Sequence, residues 1–184
     1  MPCLIRSMII RVLGLFHLVH SPILLIYPWL DFSPIYDLFY ILYFYTMICI
    51  YTYIQGECPV SYIAKIVLDP SYIAGTNRSH CPEMKWIFSN EKYAVQYFRT
   101  TTTLYIGSLG YVIYRCAPPV YILIYPSVVV SIYGLYIHNI VDTPPNIINT
   151  PSYSFPFQEF VRFVSVLTMR ILWGRIIEKT NETI

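Results

Sequence analysis

The feature that most restricts this chain is its apolar blocks. Residues 8–30, 35–54, 95–114 and 120–141 form four stretches of about 20 residues that are almost free of charge. An α-helix rises about 1.5 Å per residue, so each block is long enough to cross a hydrocarbon core about 30 Å thick. Charged residues make up 12% of the chain, against about 25% in a soluble domain. The expected class is an all-α membrane protein, 1–184 forming a single membrane domain with about four transmembrane helices in two hairpins. Arg6 and Arg11 give the first block the basic flank of a signal peptide. Its apolar stretch is too long for one and has no small-residue cleavage site, so it reads as a retained span.

Punctuation between the blocks supports this division. Tyr27, Pro28 and Trp29 close the first block with interfacial residue types, and Pro22 inside it is expected to kink the helix. Short turns follow at 31–34 and at Ala117-Pro118-Pro119. Thr103 and Gly107, and likewise Ser127 and Ser131, place small residues four apart, which suits close helix packing within the bundle. Residues 55–93 carry most of the internal charge and read as an aqueous loop, with 59–68 suited to a short helix begun by Pro59. The tail, 142–184, opens with a Pro- and Asn-rich stretch and continues as a helix over 158–179. Its charges do not segregate to one face, so it is expected to lie in the membrane interface or on a partner. A fifth span is disfavoured because Arg162 and Arg170 would each cost about 2.5–3.5 kcal/mol near a bilayer centre.

Charge also orients the chain. Of its 12 Lys and Arg residues, only Arg115 falls on the side of the two short turns. By the positive-inside tendency, both termini and the long loop are cytoplasmic. Arg99 and Arg115, at opposite ends of the third block, can extend toward the headgroups. A net charge of +2 with no basic stripe argues against nucleic-acid binding. The odd number of cysteines, 5, lacks the pattern of a disulfide scaffold, and the orientation leaves Cys3, Cys58 and Cys81 on the reducing side.

No familiar catalytic motif is present: there is no Gly-rich phosphate loop, no G-x-S-x-G elbow and no H-E-x-x-H helix. His17, His20 and His138 invite a haem reading, but His17 and His20 are mid-span whereas His138 is close to the end of its helix. Cys58, Cys81 and His80 supply three soft ligands where a structural zinc site needs four at compact spacing. Asp31 and Asp37 read as residues of a turn and a first helical turn, the latter favoured by the helix dipole. The expectation is therefore no catalytic residue, no cofactor and no metal. What the loop does offer is an apolar stripe, Tyr62, Ile63, Ile66 and Val67, at helical spacing. It suits docking to a partner, with Lys65 and Arg78 at its rim.

The segment Gln55-Gly56-Glu57-Cys58-Pro59-Val60-Ser61-Tyr62-Ile63, continuing as Leu68-Asp69-Pro70-Ser71-Tyr72-Ile73-Ala74-Gly75, resembles loops in small multi-pass membrane proteins of large nucleocytoplasmic DNA viruses. It is also similar to a Cys-Pro-Leu-Thr segment that follows a membrane helix in a bacterial family of unknown function, with Val60 and Ser61 in place of the last two residues. The viral resemblance implies a non-catalytic structural protein of an internal virion membrane, contacting the lipid bilayer and other membrane or capsid proteins. The alternatives are an accessory subunit of a multi-subunit membrane complex, such as a respiratory assembly, and then a channel, transporter or haem-binding protein.

Overall fold

The computed structural model of the chain describes residues 3–78, 80–116, 123–129, 131–133 and 151–183. Every regular element among them is helical: α1 (Cys3–Ile26), a 3-10 turn (Tyr27–Trp29), α2 (Pro34–Tyr53), α3 (Pro59–Leu68), a 3-10 turn (Pro82–Met84), α4 (Glu91–Arg115) and α5 (Pro151–Thr183). Residues 123–129 and 131–133 are also helical and fall inside the expected fourth block. The rest of that block, with His138, lies outside the described residues. Two helices, Leu4–Trp29 and Pro34–Tyr53, are long and apolar enough to cross a membrane.

Local chemistry explains the boundaries. Pro34 and Pro59 sit in the first turns of α2 and α3, where the missing amide costs nothing. The Asn90 side chain caps α4 by accepting the Lys92 amide at 2.9 Å. α2 ends where Gln55 and Gly56 turn left-handed, at φ 57° and 81°, and Gly56 N–H closes the turn on Tyr51 O at 2.8 Å. Pro22 does not interrupt α1.

α1 and α2 are linked by a short connection, yet tyrosine side chains hold them together. Tyr40 Oη donates to Leu24 O at 2.9 Å, and Tyr43 Oη meets His20 Nε2 at 2.6 Å. α4 packs against both helices, and α1 also packs against α3 and the 82–84 turn. At one end of the bundle, Arg115 from α4 forks onto the Asp37 carboxylate, one contact being Nε to Oδ2 at 2.9 Å. Its Nη1 donates to Pro28 O at 2.8 Å and Leu30 O at 2.9 Å. Sequence alone has Arg115 reaching for headgroups; instead it locks the end of α1, the start of α2 and the end of α4 together.

The C-terminal helix differs from expectation. α5 packs along α2, which it contacts more extensively than any other pair of elements touches. The direction is antiparallel: Arg162 bonds to Thr52 O at 3.0 Å, Thr46 to Met169 Sδ at 3.2 Å, and Ile176 joins the core cluster with Leu38 and Ile41. Gln158, Val161, Ser165, Thr168, Leu172 and Ile176 are its buried residues, spaced by three or four as a packing seam requires. Scattered charges conceal this seam because half of it is polar. Arg162, counted above against a fifth span, is satisfied by Thr52, by Glu159 at 2.6 Å and by the Tyr53 ring, 4.0 Å away.

Candidate functional site

Residues 55–78 and 80–90 fold back onto α1 and do not extend away from the bundle. Gly14 permits this, since a Cβ there would run into the Glu83 carbonyl oxygen. Two buried polar knots then fix the loop. In the first, the fully buried Glu57 accepts from the Tyr72 hydroxyl and from the Gly75 amide at 2.9 Å, and pairs with Lys65 Nζ at 3.3 Å. Lys65 also donates to Asn77 O at 2.6 Å. Segments 55–63 and 68–75 are tied together here.

This knot turns α3 inside out. Ser61, Ala64 and Lys65 form its buried face, so Lys65 is not at the rim of a docking surface as its charge suggests. Of the expected stripe, Tyr62, Ile66 and Val67 are half-buried and Ile63 is 49% exposed. Arg78 is half-buried and donates from Nε to Gln55 O at 2.7 Å.

The second knot joins three separate parts of the chain. Cys58, the residue just before α3, places Sγ 3.3 Å from His17 Nε2 on α1. His17 Nδ1 lies 3.0 Å from Glu83 Oε1, which also accepts from Ser61 Oγ at 2.6 Å. His17 is 7% exposed and Glu83 is 0% exposed, and the Phe98 ring lies against the imidazole, 4.4 Å between centroids. The result is a thiol, an imidazole and a carboxylate in series, the carboxylate fixing the ring so that its other nitrogen faces the sulfur.

The two thiols near this series differ. Burial opposes ionisation of Cys58, but attraction to a protonated His17 and hydrogen bonds from His17, the Ser61 amide and Tyr51 outweigh it, lowering Cys58 below the ordinary thiol value. Its place at the start of α3 adds the positive end of the helix dipole. Burial, together with the nearby Glu83 charge, pushes Cys81 up to about 12. Cys58 is therefore the nucleophilic thiol of the pair.

Cys58 and His17 both line a cavity of about 520 Å³ between α1, α2 and α4, within the range of about 300–1,000 Å³ usual for small-molecule sites. Its loop end carries Arg78 and Arg99, and its walls mix Phe, Leu, Ile, Met and Val side chains with His20, Ser21 and several Tyr and Thr. Among the described residues, no group of three His, Cys, Asp or Glu side chains is placed to hold a metal ion. Of the haem candidates, His17 is committed to Cys58 and Glu83, and His20 to Tyr43.

Sequence reasoning weighs His17 with the other histidines and Cys58 with Cys81 and His80, and so never pairs them. Separations of 41 and 66 residues join Cys58 and Glu83 to His17. The only local signal is a Cys directly before a helix-starting Pro. No family model, curated protein or solved structure matches the chain.

Proposed function

We propose that this is an integral membrane protein carrying a thiol-based acyl-transfer centre, with Cys58 as nucleophile, His17 as acid and base, and Glu83 as the residue that orients His17. The observation that carries this reading is the Cys58–His17–Glu83 series opening onto an apolar cavity. Membrane insertion is supported by the outer face of α1, where Met8, Val12, Leu15, Val19 and Ile23 are exposed. Water would not tolerate that face on a monomer, and lipid would.

In the reaction, the proton of the Cys58 thiol passes to His17 Nε2. Sγ then adds to the carbonyl carbon of an ester or thioester, forming a C–S bond as the bond to the leaving oxygen or sulfur breaks. His17 returns the proton to the leaving group. Water or an acceptor hydroxyl next gives its proton to His17 and attacks the acyl carbon. The C–S bond breaks, and Cys58 recovers its proton. Treatment of the detergent-purified protein with an activated ester should leave one acyl group on Cys58, visible by intact mass. Cys58→Ser should abolish it and His17→Gln should slow it by about 10²–10⁴-fold; unchanged acylation in Cys58→Ser would sink the assignment.

A second reading, favoured by the outward apolar side of α3, is the non-catalytic one: a membrane component, in a virion membrane or in a larger membrane complex, that docks a partner through Tyr62, Ile63, Ile66 and Val67. Ile63→Ser should release the native partner while changing stability by no more than about 0.5 kcal/mol, as exposed positions do. Retention of the partner on co-purification would exclude that surface.

A further inference from the structure

The cavity beside Cys58 is elongated, and its chemistry changes along its length. On α4 its lining runs from Val95 and Arg99 near the loop to Leu109. That separation of 14 positions corresponds to about 21 Å at the helical rise. Cys58, His17, Arg78 and Arg99 gather at the loop end, whereas Leu24, Phe44, Ile106 and Leu109 line the region toward the opposite end of the bundle.

Several of the polar side chains along the way are already occupied. Ser21 donates to His17 O at 3.1 Å and Thr101 to Tyr97 O at 2.9 Å, each within its own helix. His20 and Tyr43 are bonded to each other at 2.6 Å. A guest in this part of the cavity therefore meets mainly hydrocarbon and bonded hydroxyls. The Tyr105 hydroxyl, buried and without a partner, is the exception, and it falls well short of the array of donors and acceptors that selects a sugar, a peptide or a nucleotide. Arginines beside the thiol favour a partly negative group at that end alone.

Resting on the acyl-transfer reading above, we infer that the substrate is a long-chain fatty acyl ester or thioester whose carbonyl sits at Cys58 and whose chain lies between α1, α2 and α4, its methyl end near Leu24, Phe44 and Leu109. A mainly apolar cavity of this length accepts an unbranched chain and gives a short acyl group little to bind. The same chain chemistry reaches the site from a membrane lipid or from a soluble thioester, since both present an acyl carbonyl on a hydrocarbon tail.

The test compares acetyl, octanoyl and palmitoyl simple thioesters as donors, reading the acyl group on Cys58 by intact mass over time. Palmitoyl is expected to acylate more than about tenfold faster than acetyl, because each buried methylene adds to binding. Ile106→Trp, or Leu24→Trp from the facing helix, should fill the deep half and move the preference to octanoyl. Alkylation of Cys58 by iodoacetamide should persist in both variants, which shows that the thiol site itself is intact. Equal rates for all three donors, insensitive to both substitutions, would overturn the long-chain assignment and leave the thiol centre standing. Alkylation of Cys58 with no acylation by any donor would instead overturn the acyl-transfer reading itself. Vesicles of a single phospholipid as sole acyl donor separate the two sources: acylation from them identifies membrane lipid, and acylation only by added thioester identifies the soluble donor.

Discussion

At the scale of single residues, the environment of Cys58 decides what its thiol can do. Charge and hydrogen bonds from His17, Ser61 and Tyr51 counter the cost of burying a thiolate, while neighbouring Cys81 is pushed up to about 12. The ionised form is the reactive one, so alkylation of Cys58 should rise with pH and level off above a midpoint lower than the ordinary 9.0. His17→Gln removes the opposing charge and should shift that midpoint upward, toward or beyond 9.0. Cys81 should remain unmodified at neutral pH in both proteins. Rate profiles from mass spectrometry of the two cysteine peptides check all three outcomes; a midpoint unmoved by His17→Gln would remove His17 from the site.

At the scale of elements, α3 and α5 show how a buried face can be polar. α3 turns Ser61 and Lys65 inward because Glu83 and Glu57 wait there as partners, and its larger apolar residues, Ile63 foremost, are left toward the outside. α5 mixes Ser165 and Thr168 with Val161, Leu172 and Ile176 in the seam against α2. Leu172, 1% exposed in the main core cluster, is the best single probe of that contact. Leu172→Ala should cost about 2–5 kcal/mol, seen as a lowered thermal midpoint in detergent. Trp173→Ala, one position along and 53% exposed, should cost far less. Equal losses at the two positions would mean that α5 does not dock along α2 through this seam.

For the molecule as a whole, the two ends of the bundle are held differently. The loop end is closed by the Glu57 and Glu83 knots, and the other end by the Arg115 fork on Asp37, to which Tyr27 adds a hydrogen bond at 2.9 Å. Asp37 is buried and Arg115 spans three segments, so removing the carboxylate charge strands a guanidinium among backbone carbonyls. Asp37→Asn should destabilise the fold by about 3 kcal/mol, whereas Asp31→Asn, at an exposed position of the same turn, should be nearly silent. Thermal unfolding of both variants decides whether this clamp joins α1, α2 and α4.

Sequence by itself determined the helices over the first three apolar blocks, the charged loop between the second and third, and the short helix from Pro59 to Leu68, because length, apolar continuity and proline placement are local properties. It also marked Tyr62, Ile63, Ile66 and Val67 as sharing one side of that helix. Tertiary structure alone decided that Lys65 faces inward, that α5 lies along α2, and that His17, Cys58 and Glu83 meet. Each of these depends on a partner distant in the chain: Glu57 and Asn77 around Lys65, Thr52 for Arg162, and Gly14, whose missing side chain lets the loop settle onto α1. Periodicity records which way a residue points on its own helix, but the free energy of a buried charge or thiol is set by what stands opposite. That is fixed only when the helices pack.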